Sequence, residues 1–288
     1  MMRQLVVNAD DLGLTVGVND GIFDAHAFGI LTSASLFANA PATGDAIRRS
    51  RSYPSLGLGA HLTLVDGAPI LHPRQIPTLV TDDGRFRRSW KPFIVACLRG
   101  RISLGEVERE LTAQIERLLR AGIALTHLDA HKHVHAYPPI FSIVARLAAR
   151  FGVEVVRVPY ESPVPGPATQ VLLNAALSPW TRRARRMAAS FGLRTPRFIG
   201  RIHTGALNRE ALHSMLRAVP PGVTELMVHP GYRDEALERT GTRLLDSRQE
   251  ELALLCSIET RAVLVAERLD LVRHDLAHSM RRSLRHVS

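Results

Sequence analysis

The chain alternates short apolar runs with longer stretches in which apolar residues recur every three or four positions. Leu5-Val6-Val7 reads as a strand. Val16 to Gly29 reads as a helix with Val18, Ile22 and Ala25 on one face. Ser33 to Phe37 predicts a second strand. Pro41 to Ser52 predicts a helix with proline near its start, where a missing N–H costs nothing. Leu58 to Leu64 predicts a third strand. Ser103 to Ala121 is the clearest helix: Ser103 can cap it, Glu106 three residues on completes a capping-box pattern, and Gly122 ends it. Its apolar stripe is Val107, Leu111, Ile115, Leu118 and Leu119. Then come a strand at Ile123 to Leu128, a helix at Pro138 to Phe151 and a strand at Val153 to Val158. Further strands fall at Arg197 to Ile202 and Glu225 to Val228, and a helix runs from Ser247 to about Cys256.

Repeated strand–helix alternation implies parallel strands joined by right-handed crossovers. The expected fold is α/β, a distorted (β/α) barrel of TIM-like type with mostly parallel strands, in a single domain over residues 1–288. Two stretches break the rhythm. Residues 66–91 are rich in Pro, Gly and Asp. Residues 162–196 begin with Pro163, Pro165 and Pro167, then run through Val171-Leu172-Leu173, Trp180 and the arginine cluster from Arg182 to Arg186. Insertions on a barrel usually shape the substrate entrance. No internal repeat or low-complexity linker is present.

Composition narrows the function classes. Aromatic residues make up only 5% of the chain, which argues against base-stacking nucleic-acid platforms. The two cysteines, Cys97 and Cys256, form neither a disulfide framework nor a CxxC pair, and they fit a reducing cytoplasm. The N-terminal apolar run is too short for a secretory signal, and no stretch approaches the ~20 apolar residues of a membrane span. The expectation is a cytoplasmic protein, at most resting on the inner membrane face. The net charge of +10 comes almost wholly from arginine. It suits anionic lipid, nucleic acid or an anionic substrate, and equally a genome that prefers Arg to Lys.

Candidate chemistry collects at the predicted strand ends, which form the ligand face of parallel α/β folds. Asp10 and Asp11 directly follow the first strand; one carboxylate can bind a cation while its neighbour accepts a proton, or the pair can cap a helix. His61 ends the third strand, as a ligand or as a packed core residue. His127, Asp129, His131, His133 and His135 crowd into nine residues of a chain with 13 His. Period two would put His131, His133 and His135 on one side of an extended chain. His229 precedes Pro230 and Gly231 at another strand end. An Asp-His-His set with open positions is a catalytic arrangement that suits zinc, cobalt, nickel or iron better than magnesium. A metal lowers the pKa of water and polarises a carbonyl, a free carboxylate can take the water's proton, and a His can protonate a leaving amine.

Asn8-Ala9-Asp10-Asp11-Leu12-Gly13, the Gly-rich strand ending in His61, Thr126 to His135 and His229-Pro230-Gly231 together resemble the YdjC-like carbohydrate deacetylases, in order along residues 3 to 255. The resemblance implies a distorted barrel and one divalent metal, zinc first, with magnesium or another ion as the alternative. It implies Asp11, His61 and His131 as ligands, Asp10 as base and His229 as acid. His133, His135, Arg157 and Tyr160 are candidates for substrate contact. Val65 to Ile70 and Val156 to Glu161 look like the hopanoid-biosynthesis-associated branch. That branch implies an N-acetylglucosaminyl lipid, deacetylated to a free amino sugar and acetate.

On this reading the Arg182–Arg186 stretch would rest on anionic lipid, or else form an ordinary packed helix with a solvated face. Arg281, Arg282 and Arg285 could be a second contact or a frayed tail. Soluble chitooligosaccharides are the nearest alternative substrate. A non-enzymatic lipid- or nucleic-acid-binding protein would leave the convergent Asp and His residues unexplained. A phosphoesterase often holds two metals, and ligands for only one are present. No specific nucleic-acid partner is expected.

Overall fold

The computed structural model describes residues 2–161 and 168–277. Pro163, Pro165, Pro167, Arg281, Arg282 and Arg285 lie outside the described residues. Chain order begins β1 (Arg3–Leu12), α1 (Val16–Phe28), β2 (Ser33–Leu36), α2 (Thr43–Ser50), β3 (Gly57–Leu62), α3 (Trp90–Leu98), α4 (Leu104–Arg120) and β4 (Leu125–Ala130). It continues through α5 (Pro138–Arg150), α6 (Ala168–Ser190), β5 (Arg197–Ile199), α7 (Arg209–Arg217), β6 (Gly222–Val228), α8 (Glu235–Arg239), α9 (Asp246–Cys256), α10 (Ile258–Ala266) and β7 (Leu269–Leu271).

The strands form one parallel sheet in the order β4-β3-β2-β1-β6-β5. The expected strand at Val153 to Val158 makes no ladder of its own. It contributes single parallel bridges, Leu128 to Val156 and Val155 to Arg194, which carry the curled sheet from β4 toward the chain entering β5. The barrel is distorted at β1 as well. β7 pairs with Arg3–Leu5, and β2 takes over the same edge from Asn8 onward. Leu5 and Val7 offer their carbonyls to Val272 and Thr32 in turn. Both faces of this sheet are covered, so β1, β2 and β3 are buried along almost their whole length.

Most predicted elements form within a few residues of their expected ends. The differences have local causes. Ser103 caps α4 by accepting from the Glu106 N–H, but the Glu106 carboxylate accepts from the Thr78 N–H and hydroxyl instead of closing a capping box. The 131–135 segment is a 3₁₀ turn rather than extended chain, with Lys132 and His133 at φ +50° and +53°. Its three histidines therefore diverge.

The 66–91 excursion is held down by polar side chains of α4. Glu110 is fully buried and accepts from the backbone N–H groups of Ile70 and Leu71 at 2.8 and 3.0 Å. Gln114 bridges the Glu110 carboxylate and the Thr63 backbone. Glu106, Glu110 and Gln114 thus act as a second, polar stripe at helical spacing beside the apolar one. The 162–196 stretch is mostly α6, which packs on α5, buries Thr181, Ala184 and Ala188, and sets Trp180 edge-on to Tyr137 at 5.3 Å.

Glu110→Ala leaves the Ile70 and Leu71 N–H groups buried without an acceptor. The expected loss is about 1–3 kcal/mol per group, read as a lower urea midpoint with unchanged m. Limited proteolysis should then cut first between residues 66 and 91. A variant as stable as wild type, cut elsewhere, would show that the excursion does not depend on α4.

Candidate functional site

Consecutive residues on a strand point to opposite faces, so Asp10 and Asp11 should diverge. The pairing of β1 with β2 shifts register between Ala9 and Leu12, and Asp11 lies at φ +70°. The backbone turn re-aims Asp11, and both carboxylates end buried in one cluster. Gly13 follows at φ +93°, with the Thr43 backbone so close that a side chain there would be cramped as well as strained.

His61, at the end of β3, and Asp129, on β4, are register partners. The His61 Nδ1–H donates to Asp129 Oδ1 at 2.8 Å. That fixes the tautomer and leaves the Nε2 lone pair free. Nε2 is buried without a hydrogen-bond partner and lies 3.5 Å from Asp11 Oδ1. His131 leaves the end of β4 and brings Nδ1 to 3.3 Å from the same oxygen. Its Nε2 lies 3.3 Å from Asp66 Oδ2, and Asp66 is paired with Lys132. Phe37 stands edge-on to both imidazoles at 4.7 and 5.2 Å and walls the cluster on one side.

The donor atoms of Asp11, His61 and His131 lie within 4.8 Å of one another. A second trio, Asp10, His61 and Asp129, meets the same distance. Its oxygens are already committed. Asp10 receives two hydrogen bonds from Arg157 at 2.8 and 2.7 Å, and Asp129 binds Arg157 and the Ser35 hydroxyl, each at 2.7 Å. The first trio is the one with lone pairs to spare, and carboxylate-backed imidazoles are the usual form of a metal ligand.

Charge points the same way. Asp10, Asp11, Asp129 and Glu225 are buried together, and among the described residues Arg157 and Arg248 are the arginines paired with them, so carboxylates outnumber guanidiniums four to two. Burial works to lower the pKa of His61, yet Asp129, Asp11 and Asp10 raise it to about 10. A field that favours a proton at Nε2 equally favours a cation there. A divalent ion fits both the donor set and the surplus charge.

The carboxylates differ in character. Burial raises the Asp10 pKa, Arg157 opposes it, Asp129 adds to it, and the net direction is up. Asp11 and Asp129 are held well below the usual range. Burial opposes this, but Arg248 with the His131 and His61 rings outweighs it at Asp11, and Arg157 with His61 outweighs it at Asp129. His229, at the end of β6, is buried, and its backbone N–H donates to Glu251 at 2.5 Å. Burial pushes its imidazole down to about 3; Asp11 opposes this, and Arg248 and Arg157 reinforce it.

The expected substrate residues lie at different depths. Arg157 is 1% exposed, with its guanidinium fully engaged by Asp10, Asp129 and Glu225 beneath the cluster. The His135 Nε2–H donates to the Arg157 carbonyl at 2.8 Å, so it braces the chain and faces no opening. His133 packs edge-on to Phe198 at 5.7 Å, and burial holds its pKa well below normal. Tyr160 is half-buried under the Arg185 guanidinium. Sequence reasoning gave no role to Asp129, Asp66, Glu225 or Arg248. Asp129 carried a signal, two residues before His131 and directly after a predicted strand; Asp66 stood in the Val65–Ile70 stretch without a role of its own, and Arg248 carried no signal.

A carbohydrate deacetylase of Geobacillus stearothermophilus is 35% identical over 268 residues, covering 93% of each chain. One of Brevibacillus brevis is 34% identical over 273 residues, covering 93% of this chain and 97% of its own. A crystal structure from Enterococcus faecalis V583, of a protein named for cellobiose-phosphate cleavage, superposes with a TM-score of 0.81. It is 25% identical and covers 96% of this chain and all of that one. The family described as YdjC-like protein matches residues 4–266, and the chain belongs to that family.

Proposed function

We propose that this chain is a carbohydrate deacetylase that hydrolyses the N-acetyl amide of an amino sugar carried on a lipid of the hopanoid class, with one divalent cation held by Asp11, His61 and His131. The observation that carries the chemistry is the convergence of those three donors in a buried cluster where four carboxylates meet two arginines. The deacetylases that share a third of this sequence support the substrate class. Two imidazoles and a carboxylate favour zinc over magnesium. When bound, the cation supplies Lewis acidity toward water and the amide carbonyl.

The chain's own residues do the rest. Asp10, kept in place by Arg157 and Asn8, accepts the proton of the attacking water. Its raised pKa makes it a stronger base than a solvent-exposed aspartate. His229 is the acid for the leaving nitrogen. Burial keeps its imidazole neutral before substrate enters, so the proton it delivers is the one that Asp10 takes from the attacking water, passed across the site before the C–N bond breaks. Products are acetate and the free amine.

Support for a lipid-borne substrate comes from α6. Its 23 residues include no Asp or Glu. Its outer face runs from Leu172, 73% exposed, through Ala175, Ala176 and Pro179 to Arg182, Arg183 and Arg186. An apolar patch continued by unopposed arginines suits the edge of an anionic bilayer. No helix among the described residues is long and apolar enough to cross a membrane.

Chelation should abolish acetate release and lower Tm, and added zinc should restore both; a site held at a hundredfold excess over Kd contributes about 2.7 kcal/mol to stability. Activity and Tm that ignore chelation would remove the metal from the scheme. Asp10→Asn should lower kcat by roughly a hundred- to ten-thousand-fold with metal content unchanged. Loss of bound metal in that variant would move Asp10 from base to ligand. Acetate release from a defined N-acetylglucosaminyl hopanoid should exceed that from N,N′-diacetylchitobiose. The reverse order would keep the reaction and replace the lipid-linked substrate with a soluble oligosaccharide.

A further inference from the structure

Asp11 divides its two oxygens between different partners. Oδ1 faces His61 Nε2 at 3.5 Å and His131 Nδ1 at 3.3 Å. Oδ2 accepts from Arg248 Nη2 at 2.6 Å. Arg248 belongs to α9, far along the chain, and is 1% exposed. Its Nε–H donates to the Leu244 carbonyl at 3.2 Å, and Nη1 is buried without a partner. Among the described residues Asp11 is its sole ion pair.

Two further observations tie Arg248 to the site. Asp11 holds φ +70°, a conformation that residues other than glycine seldom keep unless surrounding contacts impose it. The Arg248 carbonyl also accepts the Gly231 N–H at 3.2 Å, so the turn after His229 hangs from the same residue. The turn has no slack on its other side: a Cβ on Gly21 of α1 would lie 2.4 Å from the Gly231 Cα. The ligand carboxylate and the proposed acid are therefore referenced to one point on α9.

We propose that Arg248 is a positioning residue that restricts Asp11 to single-oxygen donation, an inference that rests on the metal-site reading above. A free carboxylate can bind a cation through both oxygens. With Oδ2 on a planar guanidinium, only Oδ1 is left to face the two imidazoles. The coordination position that a second oxygen would fill stays open for water or the substrate carbonyl oxygen. The role needs a buried, fixed fork. Lysine would keep the charge and lose the geometry, which separates the positioning effect from electrostatics.

The test is the structure of crystals soaked in Co²⁺, for wild type and for Arg248→Lys, together with kinetics. In wild type, Asp11 should bind Co²⁺ through Oδ1 alone, with Oδ2 still on Arg248. In Arg248→Lys, both oxygens should bind the ion, and kcat should fall by about 10- to 100-fold, the usual cost of losing an outer partner of a ligand. Two-oxygen binding in wild type overturns the proposal, and needs no variant to fold. Single-oxygen binding in Arg248→Lys with wild-type kcat overturns it too. Wild type that takes up no Co²⁺ at Asp11 overturns the metal reading and this inference together.

Discussion

The site depends on one guanidinium inside the barrel. Arg157 meets Asp10 from β1, Asp129 from β4 and Glu225 from β6 at 2.6 to 2.8 Å, with all four groups buried. Three carboxylates from three strands would otherwise repel one another across a space that water cannot screen. The pairing fixes the proposed base directly. It also fixes Asp129, which orients His61, so the ligand and the base share one anchor. A buried ion cluster of this kind is a weak source of net stability, because each charge has lost its hydration. Its value is geometric.

Room beside that anchor comes from small neighbours. Ser35 on β2 and Gly59 on β3 leave space for the His127 ring and Asp129 of β4. A Cβ on Gly59 would lie 2.4 Å from the His127 ring. His127 in turn stacks on His274 at 3.8 Å and contacts Ser35, which donates to Asp129. The barrel interior is therefore polar below the site as well as within it, and small strands carry large neighbours in matched layers.

Much of this was legible in the chain. Apolar periodicity located every strand but β7 and the helices α1, α2, α4, α5 and α9, and the acidic and histidine residues at strand ends marked the face where they gather. The strand at Val153 to Val158 was not legible as it forms, because single bridges and a ladder require the same apolar residues. The spacing of His131, His133 and His135 suggested one shared face, and the positive φ of Lys132 and His133 sent them apart. Arg157 read as a candidate substrate contact; only the meeting of three acids from distant strands explains its depth. Asp66 lay in the Val65–Ile70 stretch, which carried only a branch resemblance, and Arg248 lay in a segment with no local motif; only folding brings them to His131 and Asp11.

The three donor side chains are not equally enclosed. Those of His61 and Asp11 are 1% and 6% exposed and belong to strands of the frame, whereas that of His131 is 17% exposed. His131 stands in a 3₁₀ turn and is steadied by Asp66, itself 35% exposed at the start of the 66–91 excursion. The pocket thus has two enclosed sides and one partly open to solvent. On the proposed metal reading, Asp11 and His61 would form a preset edge for the ion and His131 would close the set from the solvent side, so uptake and release would depend on the 66–91 excursion more than on the strands.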